Sequence, residues 1–294
     1  MKLFDLKPAM HPQTIQLDTG TLVWAWRNKM FEDYGTFEKV RRRTNNLLVG
    51  FLFPDGEVNE LQLIMRFSLT KDLFLDYYDQ RPEQEFIAVV KAIQRQDLTG
   101  LTGTIGNVCE NLIQLSKVCS LHFAVSNWQQ NWDDYLEGLI DAEEFFLSGS
   151  GKLEDLDNYE YNRITGLGVW LMFGMVRHPY RDKYEVTSEL ELAIGKMIQF
   201  VADRDFGTDL LSQNCLHPLK YKMVIDYYPG EEGLQCFFDA EYLAELGADA
   251  SDIGYEIVEE HRELESWVCD AFQVMAGWFN WNYYTKCSDS FLRI

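Results

Sequence analysis

The sequence lacks the patterns by which proteins hold structural metals or cross membranes. Its six cysteines are scattered without a CxxC pair, and its five histidines show no metal-ligand spacing. The N-terminal segment has no signal-peptide apolar core, and every uninterrupted apolar stretch is too short to span a bilayer. These absences predict a reduced, cytoplasmic protein without structural zinc and without membrane insertion.

Positive charge is also scarce. Lys and Arg together number 26 against 47 Asp and Glu, which gives a formal net charge of −21 at pH 7. Nonspecific binding of nucleic acid and attraction to an anionic membrane both require clustered cations. The composition therefore argues against nucleic acid and against a membrane surface as partners.

A strand pattern of alternating polar and apolar residues is missing, whereas helical periodicity recurs along the chain. We therefore predict one all-α domain over residues 1–294, with an extended N-terminal arm over residues 1–19. A helical array of this size can enclose a cavity. Helices are predicted over residues 21–31, 36–53, 60–81, 83–96, 107–146 (one helix or two), 157–176, 187–201, 221–227, 234–246 and 251–282.

The segment 60–81 is the most informative stretch because it is apolar around most of its girth and ends in acids. Asp72, Asp76 and Asp79 share one face near the C-terminal end, where the helix dipole is negative and like charges repel. A compensating positive charge is expected. Mg²⁺ shared with substrate phosphates would supply it, and a solvated helix end with Lys71 and Arg81 as counterions is the alternative.

Four segments of the chain resemble motifs of bacterial and fungal class I terpene synthases. The first combines a turn at residues 53–56, FPDG, with the sequence KDLFLD at residues 71–76. In that family a similar turn precedes the helix that carries an aspartate-rich motif of the DDxxD/E kind. Lys71 stands where the first aspartate is usual, and Asp72 and Asp76 remain.

Two further segments resemble the family's diphosphate sensor and its second metal motif. Residues 158–166, NYEYNRITG, are similar to the segment with the sensing arginine, here Arg163. Residues 208–216, TDLLSQNCL, are similar to NDxxSxxxE and follow Arg163 at the family's usual separation. Asp209 and Ser212 match that motif, whereas threonine and leucine replace its asparagine, at Thr208, and its glutamate, at Leu216.

The fourth segment lies near the C-terminus, where residues 271–285 are similar to the family's WxxGxxxWxxxTxRY helix. Gly277, Trp281 and Thr285 correspond to motif positions. Cys287 and Ser288 stand in place of the closing Arg-Tyr pair, so a diphosphate contact of the family is missing.

The resemblance implies a class I terpenoid synthase-like helical barrel around an apolar cavity. It also implies a Mg²⁺-dependent enzyme that ionises and cyclises a linear prenyl diphosphate, farnesyl or geranyl, to a terpene hydrocarbon or alcohol. Asp72 and Arg163 would be catalytic, and Arg163 and Lys71 would bind the diphosphate. The metal ligands would be Asp72, Asp76, Asp209 and Ser212, and the cavity wall would draw on Phe67, Phe74, Trp170, Phe173, Trp278 and Trp281.

Two other functions are consistent with the same residues. A catalytically silent relative that binds a hydrophobic ligand or a partner is favoured by the changes at Lys71, Thr208, Leu216, Cys287 and Ser288. An unrelated acidic all-α interaction protein would also account for the charge and the apolar helices. The sequence does not determine the substrate's chain length or the product skeleton. It does not determine the oligomeric state either, for which a homodimer is one option.

Overall fold

The computed structural model describes residues 9–43, 45–78, 81–124, 127–148, 164–176, 188–211 and 240–291, with the side chains of residues 83, 142, 145–148, 176, 202–211, 240–242 and 282–291 outside that description. Within these ranges every regular element is a helix, which confirms the predicted all-α class. The helices are α1 (Thr14–Arg27), α2 (Tyr34–Arg43), α3 (Leu47–Leu52), α4 (Val58–Tyr78), α5 (Glu83–Arg95), α6 (Gly103–His122), α7 (Trp128–Ser148), α8 (Val169–Val176), α9 (Ser188–Leu211), α10 (Ala240–Glu260) and α11 (Glu265–Phe291).

The chain divides into two compact units. The first comprises Met1–Ala124 together with Phe272–Ile294, and the second comprises Val125–Ala271. The division falls within α11, which contributes residues to both units. That the units form one domain stays a prediction.

The core of the first unit is built on α4, which packs against α1, α3 and α6. The apolar girth of this helix predicts a core position, and the structure confirms it, since Leu61 and Met65 have no exposed surface. At its C-terminal end, the rings of Phe74 and Tyr78 pack against Phe86 of α5 with centroids 5.6 Å apart in both cases. Burial of these side chains holds the acidic end of α4 in a fixed position.

The first helix begins earlier than the sequence predicts. Residues 1–19 were expected to form an extended arm, yet α1 starts at Thr14. The Thr14 hydroxyl donates to the His11 carbonyl at 2.6 Å, and the His11 amide donates to the Gly50 carbonyl at 2.9 Å. Pro12 precedes the first turn, where a proline does not obstruct a helix.

The helix predicted over residues 36–53 is two helices, α2 and α3. A turn at Asn45 and Asn46 separates them. Both side chains form hydrogen bonds outside the turn, Asn45 to Asp72 and Asn46 to Asp18. Short amide side chains favour such local breaks, because their own hydrogen bonds compete with the helical ladder.

In the second unit α7 packs against α8, α8 against α9, and α9 against α10. Along α7 the rings of Trp128 and Trp132 stack with centroids 6.1 Å apart, and Tyr135 continues the stack at 5.6 Å from Trp132. The pattern predicted over residues 251–282 is divided, because α10 ends at Glu260 and a short 3₁₀ turn, Arg262–Leu264, precedes α11.

Membrane insertion was not expected from the sequence. Among the described helices, none combines the length and the hydrophobicity that a bilayer-spanning segment requires.

Candidate active site

Each of the two motif aspartates at the end of α4 contacts a group that balances its charge. Arg43, the last residue of α2, forms an ion pair with Asp76. Asp72 accepts a hydrogen bond from the Asn45 side-chain amide at 3.2 Å, and the Lys71 ammonium lies 3.6 Å from its other oxygen. The positive compensation that the sequence calls for is therefore present in the protein itself.

One of the expected counterions is replaced. Arg81 was a candidate partner for the acids, but its guanidinium lies 4.0 Å from Glu85 and 4.0 Å from the ring centroid of Tyr77. Arg43 takes its place, although it is 33 residues away from Asp76 in sequence. The charge of Asp76 is thus balanced by a residue of another helix, α2, and not by Arg81 next to the end of α4.

A small cleft lies among these side chains, with a volume of about 10 Å³. Asp18, Arg41 and Asn46 line it together with Arg43, Asn45, Asp72 and Asp76. A volume of this size holds roughly one water molecule. Val40, Leu69 and Leu73 complete the lining, and the cleft must widen before a diphosphate can enter it.

Asp18 brings a third carboxylate to the cleft from α1. Burial raises the pKa of its carboxyl above the usual range, while the hydrogen bond from Asn46 and the charge of Arg41 oppose that rise. The Asn46 amide nitrogen donates to Asp18 at 2.9 Å, and Asn46 itself is only 4% exposed. The acid is therefore held by a buried amide beside the motif aspartates.

The aspartates of α4 suit a metal ion that also binds water and substrate phosphates better than a metal ion held by protein ligands alone. Among the described residues, no group of three or more His, Cys, Asp and Glu side chains is placed to hold a metal ion. Asp72 and Asp76 lie one turn apart, and their side chains are 28% and 37% exposed, so both are accessible from solvent. Mg²⁺ that takes one or two carboxylates and completes its shell with water and substrate phosphates suits this donor set.

The other predicted ligands are placed only in part. Asp209 lies in the last turn of α9, in the second unit, and its side chain is outside the described part of the chain. Ser212 and Arg163 also lie outside the described residues. Their proposed roles stay predictions, whereas Lys71, Asp72 and Asp76 are placed together at one helix end.

The aromatic candidates for a cavity wall fall into two groups. Phe67, Phe74 and Phe173 are 2% exposed or less, so each is packed inside its own unit. The half-buried group consists of Trp170, Trp278 and Trp281. The indole of Trp170 donates to Thr165 at 3.0 Å, and the rings of Trp278 and Trp281 meet edge to face, 6.1 Å apart.

Sequence reasoning missed the residues that line the cleft beside the aspartates. Arg43, Asn45 and Asp18 belong to no recognised motif, and helical periodicity gives no reason to select them. One signal was available: Lys39 and Arg41–Arg43 form a dense basic run in an otherwise acidic chain. A cluster of scarce cations just before the aspartate-rich helix marks a position where acids need neutralisation.

Comparison with known proteins gives a fold but no close relative. No protein-family model matches the sequence, and no curated protein matches it. Among solved structures, the crystal structure of α-eudesmol synthase is 12% identical with a TM-score of 0.68, and the match covers 97% of each chain.

Two other solved structures agree with this match. Wild-type cucumene synthase is 15% identical with a TM-score of 0.70 and covers 95% of this chain and 99% of its own. Hedycaryol synthase in complex with nerolidol is 14% identical with a TM-score of 0.67 and covers 97% of this chain and 100% of its own. At these identities the likeness establishes the fold alone, and the chain has the all-α fold that these terpene synthases share.

Proposed function

We propose that this protein is a class I terpene synthase that ionises and cyclises a linear prenyl diphosphate, farnesyl or geranyl, to a terpene hydrocarbon or alcohol. The observation that carries the proposal is the fold likeness, which extends over 95 to 97% of the chain. The accessible pair Asp72 and Asp76 at the end of α4 supports it, because the resemblance assigns metal binding to these positions.

Four side chains would hold Mg²⁺ in this function: Asp72 and Asp76 on α4, with Asp209 and Ser212 from the second motif. When bound, Mg²⁺ neutralises the charge that develops on the diphosphate leaving group. Lys71 and Arg163 would contact diphosphate oxygens, since an ammonium and a planar guanidinium are both suited to phosphate. In this proposal these groups would together orient the diphosphate despite the altered motifs.

The apolar part of the substrate requires a dry environment. Breaking the allylic C–O bond leaves a carbocation, which water would quench early. Aromatic rings stabilise a cation by about 0.5 to 2 kcal/mol for each contact. We assign this role to Trp170, Trp278 and Trp281, the aromatic candidates that retain exposed surface, and no longer to Phe67, Phe74 and Phe173, which are fully packed.

The free thiols of the protein are consistent with a reducing compartment. Cys109, Cys119 and Cys269 form no disulfide. Reduced cysteines are the rule in the cytoplasm. We place the proposed reaction there.

The direct test is incubation with Mg²⁺ and geranyl, farnesyl or geranylgeranyl diphosphate, followed by gas chromatography and mass spectrometry of the volatile products. The wild-type protein should release a terpene from at least one of them. Asp72→Asn and Asp76→Asn should each lower turnover by about 100-fold or more, since loss of a residue that merely supports a metal ligand already costs about 10- to 100-fold. Asp133→Asn, an exposed acid on α7 with the same change of charge, should leave turnover unchanged.

A catalytically silent relative is the second candidate. Leu216, Cys287 and Ser288 remove family ligands, and the Arg43–Asp76 ion pair occupies one of the remaining carboxylates. A folded wild-type protein that yields no product from any of the three diphosphates contradicts the synthase proposal. If a prenyl alcohol then raises the melting temperature of that inactive protein, the silent ligand-binding function is supported.

A further inference from the structure

The ion pair between Arg43 and Asp76 engages one of the carboxylates to which the proposed function assigns the metal. Arg43 ends α2, and Asp76 is in the last turn of α4. The two side chains are 36% and 37% exposed, so the pair is open to solvent and not locked in the core. The adjoining cleft holds roughly one water molecule, so it cannot hold a diphosphate unless the side chains that line it move.

We propose that Arg43 is an exchangeable counterion: it neutralises Asp76 in the substrate-free protein, and it moves to the diphosphate oxygens when a divalent cation takes that carboxylate. This inference rests on the proposed function and names a diphosphate-binding residue that lies outside all four motifs. Arg43 is a positioning and binding residue in this scheme, and no bond of the substrate is broken by it.

Competition for the carboxylate is the physical basis of the exchange. The Arg43 guanidinium and a divalent cation both require the oxygens of Asp76. Once the cation is bound there, it repels the guanidinium at short range. A diphosphate that binds together with the cation would offer the guanidinium another acceptor, since guanidinium groups bind phosphate oxygens with two parallel hydrogen bonds. Metal and diphosphate should therefore bind cooperatively, each favouring the state in which Arg43 has left Asp76.

The neighbouring cations are engaged differently, which singles out Arg43. Arg41 makes two hydrogen bonds to Glu38, at 3.1 and 2.8 Å, within its own helix. Lys71 pairs with Asp72, its neighbour on α4. Metal binding at Asp72 would therefore break no contact between two helices. Arg43 is the basic residue of α2 that both lines the cleft and pairs with a motif aspartate.

The experiment uses the full chain and titrates it by isothermal calorimetry, first with Mg²⁺ alone and then with inorganic diphosphate at saturating Mg²⁺. Arg43→Gln should bind Mg²⁺ alone about two- to fivefold more tightly, the scale of an exposed ion pair. The same variant should bind inorganic diphosphate about tenfold more weakly or worse, because a charge-assisted contact is lost. Arg42→Gln is the matched control, since it removes the same charge one residue away, from a position that does not line the cleft.

Arg43→Lys separates charge from geometry. A lysine keeps the positive charge, so Mg²⁺ affinity should stay near the wild-type value, but diphosphate affinity should fall because the guanidinium fork is gone. The proposal is overturned if Arg43→Gln matches the wild type in either titration, if Arg42→Gln reproduces its effects, or if the wild type binds neither Mg²⁺ nor diphosphate. Opposite shifts for Mg²⁺ and diphosphate in a protein that makes no terpene would support this inference while contradicting the synthase proposal.

Discussion

Gly277 of α11 lies against the backbone of Phe51 in α3, with no space for a side chain between them. A Cβ atom at position 277 would lie 2.4 Å from the Phe51 carbonyl oxygen and 2.9 Å from the Cα of Leu52. Gln273, one turn earlier on α11, donates its side-chain amide to the same carbonyl at 3.2 Å. The glycine that matches the C-terminal motif therefore has a packing role: it lets two helices meet at their backbones.

We predict that Gly277→Ala destabilises the protein by about 1 to 3 kcal/mol, the usual cost of forcing extra volume into a packed site. Alanine is a better helix former than glycine by about 1 kcal/mol, but the added methyl group would press on backbone that cannot rotate away. Urea unfolding followed by circular dichroism measures the change as a shift in the midpoint.

A second glycine supplies the control for this prediction. Gly20 lies inside α1, and a Cβ there would meet only the end of the Gln62 side chain, at 3.7 Å. Gly20→Ala should therefore stabilise the protein by up to about 1 kcal/mol. Equal effects of the two substitutions, in either direction, would contradict the packing role of Gly277.

The helical class and the central helix were predictable because both depend on local patterns. The predicted helix over residues 60–81 and the observed α4, Val58–Tyr78, differ by a few residues at each end. Helix breaks were harder to predict. The turn between α2 and α3 depends on hydrogen bonds from Asn45 and Asn46 to aspartates in other helices, and local propensity contains no information about those partners.

The candidate site was predictable at the positions that carry motif residues and not at their partners. Asp72, Asp76 and Lys71 follow from the resemblance, and the structure brings them together. Arg43 reaches Asp76 across 33 residues, and Asn45 reaches Asp72 across 27. Contacts of this range depend on how α2 and α4 are packed, so neither periodicity nor spacing reveals them.

The second prediction concerns the buried carboxyl of Asp18. Because burial raises its pKa in the folded protein, the folded state holds this proton more tightly than the unfolded state. The contribution of Asp18 to stability is then most favourable below the unfolded pKa, near 3.8, and falls as the pH rises through the folded pKa. Asp18→Asn removes this dependence. The variant should match the wild type in stability at low pH and exceed it increasingly toward neutral pH, as measured by urea unfolding from pH 4 to 8.

Asp33→Asn should show the opposite trend with pH. Hydrogen bonds from Thr36, first from its amide and then from its hydroxyl, lower the pKa of Asp33. That carboxylate stabilises the fold fully above its unfolded pKa, so the loss on substitution should grow as the pH rises to about 3.8 and stay constant above it. Urea unfolding extended to pH 2 measures this change. An Asp18→Asn variant that follows the Asp33→Asn trend would show that Asn46 and Arg41 outweigh burial at Asp18.

Cysteine reactivity reports on the two units separately. Cys109 and Cys119 in α6 of the first unit have no exposed surface, and burial raises the pKa of each thiol to about 12. Cys269 in the second unit is half-buried, and its thiol pKa is raised by burial and by the nearby charges of Asp270 and Glu265. Because the thiolate is the reactive form, these three residues should differ in their rates of alkylation.

The third prediction is that iodoacetamide at pH 8 modifies Cys269 well before Cys109 and Cys119 in the folded protein. A thiol with a pKa near 12 is ionised at pH 8 about a thousandfold less than one at the ordinary value, and burial further blocks the reagent. Mass spectrometry of peptides after timed alkylation measures each site. The same reaction in 8 M urea should modify all three at similar rates, since unfolding removes the burial. Alkylation of Cys109 in the folded protein at its unfolded rate would mean that α6 is not packed against α4.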